Sequence, residues 1–341
     1  MIEFQPPPPT DAQRAAVEML ASARTLLLTG HERPDGDCVG SQAALARMLT
    51  ARGVNCIVLN PDPPERRYGE VVSSARFLVD DGGPLPEHDV AVMLDGGDLS
   101  RTGALAERLR AASSSKVLVD HHLHDGDAWW DAAFVDTSAS ATGVLVRRIG
   151  AHLGAPVDEQ TAVALFTTLV TDTGWFKYSN TDAETLLLAA ELVERGVQPA
   201  AVYGDLFQRH DRSLAWTLSA ALARTSYYAD GALAVIDLPL QPDGTPLEVD
   251  GDGVLDVLRA VESVEVALLL RATEPALCKL SARSKGPFDV QRLAAGFGGG
   301  GHVKAAGATI EGAIAAARQA LVEAALAQMG DSGSSGGGAS A

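Results

Sequence analysis

The tripeptide Asp120-His121-His122 closes the stretch KVLVDHH, in which four residues of strand character run into one carboxylate and two imidazoles. Two earlier stretches have the same form, TLLLTGHERPDGD at 25–37 and VAVMLDGGD at 90–98. With TDTG at 171–174 they offer six candidate metal ligands: His31, Asp35, Asp37, Asp95, His121 and Asp172. Imidazole and carboxylate donors suit Mn²⁺, Fe²⁺, Co²⁺ or Zn²⁺ better than Ca²⁺, which takes oxygen alone. The four aspartates carry four negative charges that two divalent cations would offset; without cations they would repel one another and any phosphate. Two such ions about 3.5–4 Å apart can share a water, lower its pKa and clamp a phosphoryl oxygen. A single Asp would as readily cap a helix, so the inference rests on the six together. Asp172 is the loosest by spacing, because it follows a helical stretch.

To bring these residues together, the elements must form a sheet with its carboxyl edge at the site. Short apolar runs near 25–29, 56–59, 90–95 and 117–120 suit buried parallel strands, and ligands of such sheets gather at the strands' carboxyl ends. Helical stretches at about 41–52, 104–112, 138–153, 158–171, 185–194 and 200–208 alternate with or follow them. The fold expected is α/β, a parallel sheet with helices on both faces. A second pattern starts beyond 228, with strands at about 232–237, 264–271 and 277–283 and helices near 290–295 and 312–328, as in a smaller α/β domain with a mixed sheet. The expected divisions are a flexible proline-rich lead at 1–10, a first domain at 11–210, a connecting helix at 211–228, a second domain at 229–329 and a disordered tail at 330–341.

Composition narrows the partners. The 341 residues are 46% hydrophobic with a net charge of -17, which disfavours a grip on long nucleic acid. No apolar run reaches the ~18 residues of a membrane helix, and the N-terminus lacks the form of a signal peptide, so a cytoplasmic protein is expected. Cys38, Cys56 and Cys278 form no paired motif and read as reduced structural thiols.

HERPDGDCVGS, LDGGDLSR, VDHH and TDTGWFKYSNT resemble the four motifs of the DHH phosphoesterase superfamily. RSK at 283–285 and GGGGHVKAAG at 298–307 resemble its DHHA1 domain. Their order and the chain length are similar to the group that hydrolyses short oligoribonucleotides and 3′-phosphoadenosine-5′-phosphate, with relatives acting on cyclic di-AMP. The resemblance implies two divalent ions, Mn²⁺ foremost, and a homodimer. One ion would be held by His31, Asp35, Asp95 and Asp172, the other by Asp37, Asp95, His121 and Asp172. His122 would face the scissile phosphate, Asp120 would orient the neighbouring imidazole, and Arg101 would sit near the phosphate, with a salt bridge to Asp98 as the weaker alternative. A two-metal-activated hydroxide would yield 5′-mononucleotides. Cys38 departs from the small residue usual at its position.

Lys279, Arg283, Lys285, Arg292 and Lys304 form a local inversion of the overall charge. The run Gly298–Gly301 would leave N–H groups open to phosphate. The resemblance places Ser281, Arg283, Ser284, Gly299, Gly300 and His302 on the non-reacting part of a nucleotide, across a cleft from the metals. Trp175 and Phe176, beside Asp172, suit core packing better than base stacking. Competing functions are a non-catalytic cyclic-dinucleotide sensor, which would have a broken ligand set, and a RecJ-like exonuclease, which would carry a further domain.

Overall fold

The computed structural model describes residues 4–124 and 128–334. The chain divides into two compact units between Arg209 and His210. In the first, the elements run α1 Asp11–Ser22, β1 Thr25–Thr29, α2 Gly36–Thr50, β2 Asn55–Asn60, α3 Gly69–Ser73, β3 Phe77–Val79, β4 Val90–Leu94, α4 Leu105–Ala111, β5 Ser115–Asp120, β6 Ala132–Val135, α5 Thr142–His152, α6 Glu159–Asp172, α7 Ala183–Glu194 and α8 Pro199–Phe207. The strands make one sheet in the order β3-β2-β1-β4-β5-β6, parallel throughout.

Alternation along each strand explains the two buried faces. Leu26, Leu28, Val92, Leu94, Val117 and Val119 point into one core with α1, α2, α5 and α6. Leu27, Met93 and Leu118 point the other way, onto Leu105 and Leu109 of α4. Because both faces are covered, β4 is apolar at every position and β1 and β5 are apolar through their middles, at Leu26–Leu28 and Val117–Val119. Strands β1, β4 and β5 are consecutive in the sheet, so the loops leaving their carboxyl ends share one edge.

The second unit contains α9 Leu214–Leu222, β7 Ser226–Tyr228, β8 Leu233–Leu238, α10 Gly251–Arg259, β9 Val266–Glu274, β10 Leu277–Ser284, α11 Val290–Ala295, β11 Gly300–His302, β12 Ala305–Glu311 and α12 Ile314–Ser334. Its sheet, in the order β11-β12-β10-β9-β8-β7, is mixed: β8 and β9 are parallel, the other neighbours antiparallel.

Three segments differ from the sequence expectation. Within the proline-rich lead Phe4 is an anchor point, since it is buried and its ring lies 5.1 Å from the Arg147 guanidinium carbon. The helix expected over 211–228 is the shorter α9, because Ser226–Tyr228 pairs with β8 instead. Helix α12 continues through residues 330–334 of the expected tail, and 335–341 lie outside the described residues. Among the described residues no helix is long and apolar enough to cross a membrane.

Candidate metal centre

His31 follows β1, Asp95 follows β4, and Asp120-His121 stands at the end of β5. Asp35 is the N-cap of α2, accepting from the N–H groups of Asp37 and Cys38, and Asp37 lies in that helix's first turn. Asp172 ends α6. All six expected ligands converge. Asp95 is their hub: its Oδ2 lies 3.6 Å from His31 Nε2 and its Oδ1 lies 3.7 Å from His121 Nε2. His31 Nε2 is also 3.9 Å from Asp35, and His121 Nε2 is 3.8 Å from Asp37 and 3.5 Å from Asp172. Asp95 reaches its place through a left-handed backbone (φ 58°), which Asp tolerates better than most residues.

The donor set fits divalent cations. His31 Nδ1 lies 2.8 Å from Glu32 O and His121 Nδ1 lies 3.1 Å from Ala139 O. A carbonyl only accepts, so each Nδ1 carries a proton and Nε2 is the atom turned toward the carboxylates, the arrangement usual for a ligating imidazole. His121 Nε2 is buried without a hydrogen-bond partner among the described residues. Its separations from three carboxylates are too long for hydrogen bonds and suit donors each about 2.0–2.2 Å from a shared ion.

The electrostatics point the same way. Burial, then Asp95, Asp172 and Asp35, push the Asp37 carboxyl well up. Burial and the Asp95 and Asp35 carboxylates, opposed by His121, push Asp172 up to about 7. Asp95 moves the other way, because His31, His122 and His121 outweigh its burial. Burial lowers the His31 pKa, but Asp35 and Asp95 reverse this and carry it up to about 10. Without cations, the cluster therefore holds protons in their place.

Two features were not legible as sequence. Asp37 Oδ2 accepts from Thr142 N at 2.7 Å and Oδ1 from Gly143 N at 3.0 Å, so Asp37 caps α5 from another helix. Thr142 Oγ1 also donates to Asp95 Oδ1 at 3.0 Å. Second, His124 lies beside Asp120, with Nε2 3.3 Å from Oδ2. Its only sequence signal was a third histidine two places after the pair.

Asp120, fully buried, accepts at Oδ1 from His122 Nδ1 at 2.7 Å and from His121 N at 2.9 Å. His122 Nδ1 is 3.6 Å from Asp95. Burial lowers the His122 pKa, and the Asp120 and Asp95 carboxylates more than reverse this. Arg101 is exposed on a half-buried 3₁₀ turn, Leu99–Thr102, and its Nη1 donates to Gly96 O at 3.4 Å. Its charge bears on His122, opposing protonation there. Asp98 caps that turn through Ser100 N at 2.7 Å rather than holding Arg101. Cys38 is buried with its thiol pKa pushed well up, chiefly by burial. Trp175 and Phe176 pack on Phe166, and Trp175 also on Tyr203, as core aromatics do.

In the second unit, alternation along β10 sorts the expected substrate residues. Lys279, Ser281 and Arg283 share the less covered face, while Ser284 points with Leu280 and Ala282 into the core. The Ser284 hydroxyl donates to Phe288 O at 2.8 Å. Arg283 pairs with Asp252 at 2.7 Å. Lys285 and Lys304 donate to backbone carbonyls, of Val261 and Phe288 among others, so the basic cluster is partly spent on holding turns. The glycine run is less open than its composition suggested. Gly298 N and Gly299 N close the end of α11 on Ala295 O and Ala294 O, and Gly300 and Gly301 pair with Gly307 and Ala306 of β12. The backbone of His302 belongs to β11, and its side chain lies outside the described residues.

Residues 25–169 match the family model described as DHH family, N-terminal domain, and residues 249–338 match the DHHA1 domain. A Thermus thermophilus protein named bifunctional oligoribonuclease and PAP phosphatase NrnA is 31% identical over 303 residues, covering 89% of both chains. The cyclic-di-AMP phosphodiesterase PdeA of Listeria monocytogenes is 23% identical over 91% of this chain and 49% of its own. The crystal structure of an exopolyphosphatase-related protein from Bacteroides fragilis superposes with a TM-score of 0.83 at 25% identity, over 91% of this chain and 95% of that one. With its carboxylates and imidazoles gathered at one sheet edge and both domain models matched in order, the chain belongs to the DHH/DHHA1 family of metal-dependent phosphoesterases.

Proposed function

We propose that this protein uses two divalent ions, Mn²⁺ foremost, to hydrolyse dinucleotides such as pApA and pGpG, 3′-phosphoadenosine-5′-phosphate and cyclic di-AMP to 5′-mononucleotides. The observation that carries this is Asp95, whose two oxygens face imidazoles from two different strands, His31 at 3.6 Å and His121 at 3.7 Å. His31, Asp35, Asp95 and Asp172 would hold one ion, and Asp37, Asp95, His121 and Asp172 the other. Two ions held there would polarise a phosphoryl group and make water acidic enough to attack near neutral pH.

The chain's own residues do the rest. Thr142 and the N-terminus of α5 fix Asp95 and Asp37 in position. His122, held through Nδ1 by Asp120, presents the rest of its ring to the phosphate and donates a proton to the leaving oxygen. Arg101 offsets charge on the same phosphate. Ser281, Arg283 and the hairpin carrying Gly299, Gly300 and His302 hold the non-reacting nucleotide, with Ser284 supporting that strand from its buried side. The net charge of -17 favours short substrates over long strands, which bring many phosphates against an acidic surface. A homodimer is the assembly proposed.

The test is to incubate purified protein and Mn²⁺ with pApA, pGpG, 3′-phosphoadenosine-5′-phosphate, cyclic di-AMP, pyrophosphate and a long oligoribonucleotide. Products are followed by chromatography and assembly by light scattering. Mononucleotides from the short substrates, with little from the long one, are expected. Binding without product, or preference for the long strand, would overturn the proposal.

A further inference from the structure

Asp120 is fully buried, yet only one of its oxygens has a hydrogen-bond donor among the described residues. Oδ1 takes His122 Nδ1 and His121 N. Oδ2 faces His124 Nε2 at 3.3 Å, and neither of those atoms has another hydrogen-bond partner among the described residues. Leaving both alone would be costly for buried polar groups, and a small rotation of the ring makes each the partner of the other.

The surroundings keep His124 in place. Leu123 is 83% exposed while His122 and His124 on either side are largely covered, so the chain alternates and aims both imidazoles at Asp120. The His124 ring lies 5.6 Å from that of Trp130, which packs edge-on against Trp129. Trp129 Nε1 donates to Gly97 O at 3.0 Å. Gly97 has φ 63°, and a Cβ there would come 2.6 Å from His124 Cε1. Glycine at 97 and the tryptophan pair thus make room for the third histidine and close it in.

We infer that His124 is a positioning residue: by donating from Nε2 to Asp120 Oδ2 it locks the carboxylate that orients His122 for phosphoester hydrolysis. The inference rests on the hydrolytic role proposed above for His122. With Oδ1 and Oδ2 both engaged, Asp120 cannot turn about its side-chain bonds, so the His122 ring is held in one orientation. Its contacts among the described residues are with Asp120 and Trp130, neither of them a proposed metal ligand.

The test compares His124→Ala, His124→Asn and His124→Gln in the full-length protein with Mn²⁺ and pApA. Gln can bring an amide N–H to about the place of Nε2; Asn falls short. The expected result is a kcat lower by about tenfold to a hundredfold in the Ala and Asn variants, the usual scale for such supporting contacts. KM and Mn²⁺ affinity should stay unchanged, and Gln should recover most of the rate. A wild-type kcat in His124→Ala, an equal loss in all three, or a loss carried by KM or metal affinity would overturn the inference. A histidine-selective ¹⁵N spectrum of the metal-free protein separates this from the activity itself. Wild type and His124→Gln should show the His122 Nδ1–H held in its hydrogen bond, and His124→Ala should show that bond loosened and its proton exchanging. An unchanged spectrum in His124→Ala would defeat the inference even in a protein that hydrolyses nothing.

Discussion

Asp37 Oδ2 and Thr142 N lie 2.7 Å apart although 105 residues separate them along the chain. The contact joins the first turn of α2 to the first turn of α5, and the same threonine reaches Asp95 through its hydroxyl. A helix N-terminus favours a carboxylate, so α5 can hold Asp37 beside three other acidic groups. Thr142→Val keeps the N–H and loses only the bond to Asp95. It should weaken Mn²⁺ binding by about tenfold, at the lower end of the effect of losing a ligand's supporting hydrogen bond. Thr142→Pro removes the N–H as well, at a position where a helix tolerates proline, and should weaken binding further. Calorimetric Mn²⁺ titration distinguishes them; equal affinities in wild type and both variants would deny Thr142 this part.

Asp95→Ala removes the carboxylate shared by His31 and His121. Turnover of pApA should fall by about three orders of magnitude, the upper range for a group central to transition-state electrostatics. Bound Mn²⁺, measured by elemental analysis, should fall from two ions per chain. A variant that keeps both ions and the wild-type rate would end the dinuclear proposal.

The metal-free protein should lose stability as pH rises. A carboxyl whose pKa is raised on folding binds more protons folded than unfolded, so it destabilises the fold as pH climbs from its ordinary value through the raised one. Asp172, pushed up to about 7, and Asp37, pushed up by burial and its neighbours, both act in this sense. His31, carried up to about 10, stabilises fully below its ordinary value and loses that contribution as pH rises toward 10. Asp95 has the opposite sign, but its depressed pKa confines its effect to acid below the ordinary carboxyl value. Melting temperatures without metal should therefore fall from about pH 5 to about pH 8. Metal must displace the same protons, so Mn²⁺ affinity should rise over that interval. Scanning calorimetry with and without Mn²⁺ reads both trends, and a metal-free melting temperature that climbs with pH would contradict the protonated cluster.

The site was more legible than the elements that hold it. Runs such as Val90–Leu94 are apolar at every position because both faces of a parallel sheet are covered, so the strands and their terminal Asp and His residues stood out. Asp172 could not be placed by spacing, since a helix end acquires its position from packing, here of α6 against α2 and α5. Strand β12 carries Ala and Gly at most of its positions and is a strand because β10 pairs with it from Leu277 to Arg283. The glycine run before it read as a loop for the same reason. Ser226–Tyr228 directly follows a helical stretch and takes its conformation from β8, with which it pairs. For the Ala- and Gly-rich β11 and β12, tertiary pairing overrode local preference. The bond from α5 to Asp37 lies in backbone N–H groups, which no side-chain pattern announces.

Arg283 and Ser284 are adjacent, but strand alternation turns them to opposite faces, and substitution should separate them. Arg283 pairs with an exposed Asp252, and such pairs contribute only about 0–1 kcal/mol, so its guanidinium can exchange that carboxylate for a phosphate at little cost. Arg283→Ala should raise KM for pApA by about tenfold and leave kcat nearly unchanged, as loss of binding that is uniform along the reaction does. Ser284 is buried, and its hydroxyl satisfies Phe288 O. Ser284→Ala should therefore lower stability by about 1 kcal/mol, read as a shift in the urea midpoint, with KM unaltered. The opposite pattern, with Ser284→Ala raising KM and Arg283→Ala only lowering stability, would mean that substrate meets the core-facing side of β10. A fall in kcat alone for Arg283→Ala would move that residue from the far end of the nucleotide to the reacting phosphate.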